Sequence, residues 1–421
     1  MKTRIFLLIA LAVFLFGCQS DKDVLMLDGE DIPAMTPRKD IELSDIGKKL
    51  SCQTNEFAFN LLKTVYTNND NRRNMLLSPL SVTLALSMLN NGAAGITQEE
   101  IQQTLGYGDV SREDINTFAQ KIVNAMQTLD RRGKFEWANS MWIQTDFPVI
   151  NVFKEVNHKY YDAEIQNVDF NQSATLKTIN DWVSEKTHEK IPTILDEMDT
   201  SVRVLLLNAI YFKGYWTEPF DKNLTVDGIF RTSIGTEQTV ATMHKTSILL
   251  PYVKLENYEA VELPFGNGAF SLVVVLPAAN TDISTLVAQT SGEWWSQIVD
   301  NLGSQPYEVH LEIPRFRLSY EKVLNDDLRA LGMQSLFDLK TADFSLISPV
   351  NLYVSLVKQK TFAQMDEDGM EAAAVTVESL LTSHGREYVP VDFKVNRPFL
   401  YFIKEKSTEL ICFEGVMNEI K

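Results

Sequence analysis

The side chains that most often perform catalysis are few in this chain, and they do not fall at catalytic spacings. Histidines stand at positions 158, 188, 244, 310 and 384, and none clusters with carboxylates or cysteines as metal ligands do. The sequence contains no G-x-S-x-G, H-E-x-x-H, Walker or G-x-G-x-x-G motif. We therefore expect neither an enzyme nor a metal site, and no cofactor.

The composition narrows the range of partners. The chain has 421 residues, of which 45% are hydrophobic and 23% charged, as is ordinary for a globular protein. Lys and Arg number 39 against 56 Asp and Glu, so the formal net charge is 39 − 56 = −17. This excess of negative charge argues against nucleic acid as a partner.

One segment near the C-terminus suits no single structure. Residues 366–385 have the sequence DEDGMEAAAVTVESLLTSHG. The three alanines favour a helix, the β-branched residues after them disfavour it, and alanine packs poorly in a strand. This pattern predicts a segment that changes its structure.

The N-terminus has the features of an export signal. Lys2 and Arg4 precede an apolar run that ends in LFGC and is too short to span a membrane. LFGC resembles the bacterial lipoprotein box, which assigns residues 1–17 to a signal peptide and Cys18 to a lipid anchor. The alternative is an ordinary cleaved signal peptide with an incidental cysteine. The following QSDKD resembles the acidic tag of surface-exposed lipoproteins of Gram-negative bacteria, and residues 18–50 are predicted to form a flexible tether.

The rest of the chain, residues 51–421, is predicted to be one large α+β domain. NEFAFNLLKTVY carries a helical apolar stripe, and VRVLLLNAIYFKG and FSLVVVLP suit strands of a large sheet. Thr97 and Glu100 are spaced as a helix-capping box. Cys52 and Cys412 remain; an exported protein could join them in a disulfide, or both could be buried free thiols.

Eight motifs, in order, resemble those of the serpins, the serine protease inhibitor superfamily. They are LSPLSVTLALSMLNNGAAGITQEEI, FEWANSMWIQ, YYDAEIQNVDF, INDWVSEKTHEKI, LLLNAIYFKGYWTEPFD, VELPF, LYVSLVKQKTFAQMDEDGMEAAAVT and NRPFLYFIKEKSTELICFEG. The resemblance implies three β-sheets, eight or nine helices and an exposed reactive loop at about residues 367–390. In inhibitory members, a protease cleaves this loop, becomes covalently attached, and is trapped when the loop inserts into the central sheet.

The resemblance assigns the functional residues position by position. The hinge of the loop matches the family pattern, except that Met370 stands where Thr or Ser is usual; the hinge comprises Glu367, Asp368, Gly369, Met370, Glu371, Ala372, Ala373, Ala374 and Thr376. Trp216 and Arg315 match residues at the entrance of the sheet, where Arg315 is expected to pair with Glu367. Ser78, Ser81, Asn208 and Gln359 match the polar cluster at its centre.

The sequence leaves several positions open for the cleaved bond. Counting from Gly369 places it between Ser383 and His384, which suits an elastase-like protease, with alternatives at Leu381, Thr382 and Arg386. From Met370 to Ser383, an inserted strand would be about 46 Å long. A chymotrypsin- or subtilisin-like target, or a papain-like cysteine protease, would use the Leu381 or Thr382 alternatives.

The sequence-based interpretation is thus a monomeric protease inhibitor exposed on the outer membrane of a Gram-negative bacterium and held there through Cys18. Its partner is a target serine protease, bound as a covalent acyl-enzyme. The alternative function is a non-inhibitory binding module with the same fold. The alanines of the hinge favour the inhibitor, because charged or proline-rich hinges would oppose insertion.

Overall fold

The computed structural model describes residues 25–27, 30–68, 73–370 and 390–420. The helices within them are α1 Asp45–Asn68, α2 Pro79–Asn90, α3 Gly95–Thr104, α4 Arg112–Met126, α5 Asn151–Tyr161, α6 Ser173–Lys186, α7 Ile283–Gln289, α8 Gly292–Leu302 and α9 Asn325–Ala330, with short 3-10 turns at Lys222–Leu224 and Ser335–Phe337. Within these residues, no helix has both the length and the apolar content needed to span a membrane.

The strands form two large sheets and one small hairpin. They are β1 Leu25–Leu27, β2 Glu30–Ile32, β3 Met75–Leu77, β4 Gly133–Gln144, β5 Glu164–Val168, β6 Val204–Tyr215, β7 Val226–Arg231, β8 Glu237–Lys254, β9 Tyr258–Phe265, β10 Phe270–Pro277, β11 Pro306–Pro314, β12 Phe316–Val323, β13 Leu356–Met365, β14 Gly369–Met370, β15 Val391–Lys394, β16 Phe399–Glu405 and β17 Ile411–Met417.

The central sheet has six strands in the order β12-β13-β14-β6-β4-β5. Its two longest inner strands, β6 and β4, are antiparallel, whereas β6 and β13 run parallel to each other. Residues 205–211 of β6 pair directly with residues 356–362 of β13, from Leu205 with Leu356 to Tyr211 with Phe362. We call this paired stretch the seam.

The second sheet has nine strands and bends at β8. Strand β8 pairs with β7 and β11 between Glu237 and Pro251, and its end, Tyr252 to Lys254, pairs with β9. Strand β8 therefore belongs to two sheet portions, β7-β8-β11-β15 and β8-β9-β10-β16-β17-β3. With the six-stranded sheet these make the three sheets that the sequence predicts, and the predicted α+β class is confirmed.

Side chains of β6 alternate between two apolar cores, as the period of a strand requires. Leu206, Ile210 and Phe212 belong to the main core. There the Phe212 ring packs edge-on against the Phe265 ring of β9, with the ring centroids 5.1 Å apart. The alternate residues pack on the other face with side chains of α6; they are Leu205, Leu207, Ala209 and Tyr211. The sheet is thus buried on both faces along the seam.

Packed residues also lie on the N-terminal side of the predicted domain boundary. The boundary predicted between residues 50 and 51 falls inside α1, which starts at Asp45, and Ile41 and Leu50 are buried in the main core. Arg132 Nε also donates to the Pro33 carbonyl at 2.8 Å. Charge and proline masked this packing in the sequence, because Ile41 and Leu43 stand in a stretch of charged and polar residues.

Two smaller expectations also change. Helix α3 begins at Gly95, so Thr97 and Glu100 do not cap it; both side chains bind Ser335 instead, Thr97 Oγ1 at 2.9 Å and Glu100 Oε2 at 2.8 Å. Cys412 is buried, Cys52 is exposed, and both are free thiols. Neither the disulfide nor the pair of buried thiols is present.

Candidate functional site at the head of the central sheet

Part of the predicted site lies outside the described residues. This part comprises the lipidation residue Cys18, the later hinge residues and the cleavage candidates, namely Glu371, Ala372, Ala373, Ala374, Thr376, Leu381, Thr382, Ser383, His384 and Arg386. The structure does place the first hinge residues, 367–370, and all of the predicted entrance and central residues.

The hinge already enters the central sheet. Gly369 pairs with Tyr215 and Met370 with Gly214, both antiparallel to β6, and Met370 also pairs with Met365 of β13. Strand β14 therefore lies between β6 and β13, at the head of the sheet. The Met370 side chain is buried, with 1% of its surface exposed, so the unusual residue at this position is accommodated in the core.

Gly369 is required by the closeness of this pairing. Its φ of +156° is one that side-chain-bearing residues rarely adopt, and an added Cβ would lie 2.1 Å from the Gly214 carbonyl oxygen. Gly369 thus lies against the backbone of Gly214 and Tyr215 where the hinge enters. Any larger residue at 369 would force β14 away from β6.

Trp216 anchors the turn that precedes the hinge. Its ring is buried and stacks on Phe265 with the centroids 4.5 Å apart and the planes 12° apart. Its indole Nε1 donates to the Asp366 carbonyl at 2.9 Å, and its backbone N–H donates to the Asp368 carbonyl at 2.9 Å. Trp216 therefore fixes the backbone on both sides of Glu367.

Glu367 is held by charge and by hydrogen bonds. Its side chain is buried, and Arg315 Nε donates to Oε1 at 2.7 Å, while Arg315 Nη2 and the Thr225 hydroxyl contact the same oxygen. Burial alone would raise the pKa of Glu367, but the hydrogen bonds from Thr225 and Arg315 outweigh it and lower the pKa. The predicted contact between Arg315 and Glu367 is present.

The neighbouring carboxylates differ from Glu367. Asp368 forms an ion pair with Lys222 at 2.9 Å. Among the residues that the structure describes, Asp366 has no basic partner at that distance. Burial, together with the charges of Asp368 and Glu367, raises its pKa although two backbone N–H groups donate to it. Three acidic residues in sequence are thus distributed over three different environments. We call residues 366–370, with Trp216, Lys222, Thr225 and Arg315, the hinge cluster.

A buried polar cluster crosses the middle of the seam. Gln359 of β13 accepts from the Ser78 N–H at 2.9 Å and donates through Nε2 to Asn208 Oδ1 of β6 at 2.7 Å. Asn208 in turn donates to Ser81. The four predicted central residues are therefore brought together, and one amide side chain links the two strands of the seam to α2.

Sequence reasoning missed three residues of this arrangement. Asn139 of β4 accepts from Asn208 Nδ2, and Thr225 and Lys222 hold the hinge acids. The polar Asn139 in the apolar strand FEWANSMWIQ was the signal that could have revealed it, because a strand buried on both faces rarely carries an unpaired amide. Nothing comparable marks Thr225 or Lys222, which lie in a short polar turn.

The pairing of β6 and β13 changes along the central sheet. Strands β6 and β13 are parallel neighbours below residue 211, while above it β14 separates them. An additional strand continuing from Met370 would have to part the seam, including the Gln359–Asn208 hydrogen bond. Within the described residues, no group of three or more His, Cys, Asp or Glu side chains is arranged to hold a metal ion.

Comparison with known proteins identifies the family. The family model described as Serpin (serine protease inhibitor) matches residues 52–420. Serpin B6 of Pongo abelii is 33% identical over 368 residues, 85% of this chain and 96% of that protein. Leukocyte elastase inhibitor of Xenopus tropicalis is 32% identical over 380 residues, 87% of this chain and 98% of its own length.

Solved structures agree with this result. The thermophilic serpin tengpin in its native state superposes with a TM-score of 0.82 at 30% identity, covering 92% of this chain and 97% of its own. The chain belongs to the serpin family, a family of serine protease inhibitors. The fold expected from the resemblance, with its three sheets and helices, is confirmed.

Proposed function

We propose that this serpin inhibits serine proteases as a suicide substrate and that it traps them by inserting its cleaved reactive loop into the central sheet. The observation that carries the proposal is the pairing of Gly369 and Met370 between β6 and β13. This pairing supports the proposal because a strand that continued from Met370 would follow the same register along β6. Similarity to leukocyte elastase inhibitor over 87% of the chain supports an elastase-like target.

The register specifies where each later residue would lie. Continuing the antiparallel pairing of Met370 with Gly214 places residue 372 opposite Phe212, residue 376 opposite Asn208 and residue 378 opposite Leu206. Directly opposed residues of neighbouring strands share a face. Phe212, Asn208 and Leu206 are buried towards the main core, so Ala372, Thr376 and Glu378 would enter it after insertion.

The chemistry belongs to the protease. Its serine hydroxyl oxygen attacks the carbonyl carbon of the scissile bond, the C–N bond breaks, and the released amine leaves with a proton. The acyl ester then ties the protease to the C-terminal end of the freed loop. Insertion carries the ester along the sheet, and distortion of the protease active site stops hydrolysis, because catalysis tolerates little misplacement.

The bond between Ser383 and His384 is the proposed cleavage site. A small residue after Leu380, Leu381 and Thr382 fits the narrow specificity pocket of an elastase-like enzyme. Cleavage after Leu381 is the alternative for a chymotrypsin- or subtilisin-like enzyme. Mass spectrometry of the released C-terminal peptide distinguishes the two, since they differ by the residues Thr382 and Ser383.

The test is a covalent complex with a protease. The domain from residue 33 onward is incubated with elastase, chymotrypsin, trypsin and subtilisin, and each mixture is boiled in SDS. With elastase we expect a band at the summed mass of serpin and protease less the released C-terminal peptide. Cleavage of the loop by all four enzymes without such a band would contradict the inhibitory function.

We also propose that the protein is a lipoprotein on the surface of a Gram-negative bacterium. The LFGC motif, with Cys18 at its end, and the acidic residues that follow support this location. A surface position would expose the reactive loop to proteases of a host or a competitor. The lipid anchor would then hold the inhibitor where those proteases act.

A further inference from the structure

A cavity of about 300 Å³ lies at the lower end of the seam. Its walls come from the segment that precedes β6 and from three strands of the central sheet. Leu195, Met198 and Val202 contribute from the segment, and Leu205, Val323 and Leu356 contribute from β6, β12 and β13. The cavity is thus apolar on several sides and open to solvent at its mouth.

The cavity touches both strands of the seam where they pair. Leu205 of β6 and Leu356 of β13 are direct partners in the parallel register, and both line the cavity. Lys358, two residues further along β13, completes this wall. A molecule bound here would contact both strands that have to separate when the loop inserts.

The mouth of the cavity is acidic. Asp196, Glu197 and Asp199 line it, and all three are exposed. The hydroxyl and backbone N–H of Ser201 hydrogen-bond to Asp199 and lower its pKa, so its carboxylate is ionised at neutral pH. The Lys358 Nζ is directed at a different carboxylate, that of Glu321, which Lys360 also binds.

Arg203 also lies near this rim, and its charge contributes to the lowered pKa of Asp199. Its Nη1 donates to the backbone carbonyls of Ser201 at 2.9 Å and Val202 at 3.0 Å. The cavity therefore combines an apolar interior with a negative rim. This combination is complementary to a ligand with an apolar body and a cationic head.

We propose that this cavity is a binding site for small amphiphilic amines and that an amine bound there clamps the seam shut. The ligand would place its apolar part against Leu205, Leu356 and Val202, and its ammonium group beside Glu197 and Asp199. A ligand that binds the closed sheet and not the opened one stabilises the closed sheet by mass action.

The consequence for inhibition rests on the proposed function. The register set by Met370 and Gly214 places residue 379 opposite Leu205. The last part of an inserting loop would therefore arrive beside the cavity. An amine holding Leu205 and Leu356 together would delay this step, and more acyl-enzyme would be hydrolysed before the protease is trapped.

Binding is tested on the uncleaved domain without any protease. The probe is 4-phenylbutylamine, and the matched compounds are neutral 4-phenylbutan-1-ol and anionic 4-phenylbutyrate, each titrated by ligand-observed NMR. We expect a Kd on the order of 1 mM for the amine, since small ligands gain little free energy per atom. We expect about two- to fivefold weaker binding of the alcohol, as exposed charge pairs contribute modestly. Equal binding of all three compounds, or none of the amine, overturns the site.

Variants locate the binding. The double variant Asp196→Asn/Glu197→Gln should weaken binding of the amine and leave binding of the alcohol unchanged. Val323→Trp, at a half-exposed wall position, should weaken binding of both compounds. The control Glu256→Gln/Asp300→Asn removes two exposed charges in the β8–β9 turn and on α8. If this control weakens binding of the amine as much as the first double variant does, the amine is attracted by the net charge of the protein and not by the cavity.

Hydrogen exchange tests the clamp directly. The amine should slow exchange at residues 204–207 and 356–358, with β10 as the internal reference, because the seam must open locally for these amides to exchange. Binding without slower exchange there overturns the clamp. In the protease assay the amine should raise the number of inhibitor molecules consumed per protease trapped. A protein that traps no protease contradicts the proposed function, while the binding and exchange results still decide this inference.

Discussion

At the scale of single residues, Glu367 shows how the hinge cluster holds a charge in a buried place. Its carboxylate is 1% exposed, yet it accepts hydrogen bonds from Arg315 and Thr225. A buried carboxylate without such partners would be protonated or destabilising. The lowered pKa of Glu367 means that the folded protein prefers its ionised form.

This preference predicts a pH-dependent contribution to stability. A lowered folded-state pKa stabilises the fold above the ordinary glutamate value of 4.5, and the contribution is lost as the pH falls through the lower folded value. We expect Glu367→Gln to lower the thermal unfolding midpoint at pH 7 by about 2–4 °C, as for loss of a hydrogen-bonded charge in a large domain. The difference from the unmodified protein should shrink below pH 4.5.

Glu237→Gln is the matched control, because Glu237 also faces an arginine, Arg231 at 3.4 Å, but both side chains are exposed. An exposed pair contributes little, so this variant should change the midpoint by less than about 1 °C. Midpoints are compared at one scan rate, since serpin unfolding need not be reversible. A larger effect of Glu237→Gln than of Glu367→Gln would contradict the special role of the buried carboxylate.

The residues of the candidate site divide by how they could be predicted. Trp216, Arg315, Ser78, Ser81, Asn208 and Gln359 stand in motifs that resemble the family, and the structure brings them to the head and centre of the sheet. Thr225 and Lys222 could not be predicted, because their partners Glu367 and Asp368 lie more than 140 residues away in sequence, at separations of 142 and 146. Contacts of that kind depend on the fold and not on local sequence.

At the scale of elements, β6 sets the register of the inserting loop. Its alternate residues face two different cores, and the pairing of Met370 with Gly214 fixes which loop residues face inward. Even-numbered residues from 370 to 378 would face the main core. The loop sequence at these positions is Met, Ala, Ala, Thr and Glu, which is apolar or small until the last.

This register predicts that Ala372→Arg converts the inhibitor into a substrate. Residue 372 would lie opposite Phe212, which is 3% exposed, and an unpaired guanidinium there costs several kcal/mol, on the order of burying an isolated charge. Cleavage should stay normal while covalent complex falls at least tenfold on SDS gels. Glu371→Arg, one position earlier and facing outward beside half-exposed Lys213, should retain most of the complex. Equal complex formation by both variants would mean that the loop does not insert in this register.

Glu378 should slow loop insertion in the natural protein for the same reason. It would lie opposite Leu206, which is fully buried, and a carboxylate without a partner there slows the last third of insertion. Glu378→Val should therefore lower the number of inhibitor molecules consumed per protease trapped, with the cleavage rate nearly unchanged. Glu371→Val removes a charge from the outward face and should leave the ratio unchanged. An unchanged or higher ratio for Glu378→Val would show that the carboxylate reaches water or a partner after insertion.

The elements themselves were predictable to different extents. The stripe of Phe57, Leu61, Leu62 and Val65 is buried as predicted, because helical periodicity is a local property. The start of α1 at Asp45 was missed, since its first turns carry polar residues and derive their stability from packing against the β16–β17 turn, where Ser51 Oγ donates to the Thr408 carbonyl at 3.1 Å. The bend of β8 between two sheet portions has one local signal, Pro251, which stands where the pairing passes from β11 to β9.

At the scale of the whole molecule, the hinge and the N-terminal segment lie near each other. Arg132 Nε binds the Pro33 carbonyl, and the next residue, Gly133, pairs with Gly214 at the head of the sheet. From Cys18 to Pro33 the chain spans at most about 50 Å when fully extended. A lipid at Cys18 would therefore keep the head of the sheet within about 50 Å of the membrane, and insertion would carry a trapped protease away from that end.

The anchor itself predicts where the full-length protein is found. Expressed in a Gram-negative host, the unmodified chain should sediment with membranes, whereas Cys18→Ser should not, because the thiol that accepts the lipid is gone. Cys52→Ser is the matched control; Cys52 is an exposed free thiol on α1, and its loss should leave the protein in the membrane fraction. Fractionation followed by immunoblotting measures this, and both variants should trap protease equally well once solubilised. If Cys18→Ser stays with membranes as the unmodified chain does, the apolar run of residues 5–16 holds the protein, and the lipid anchor is wrong.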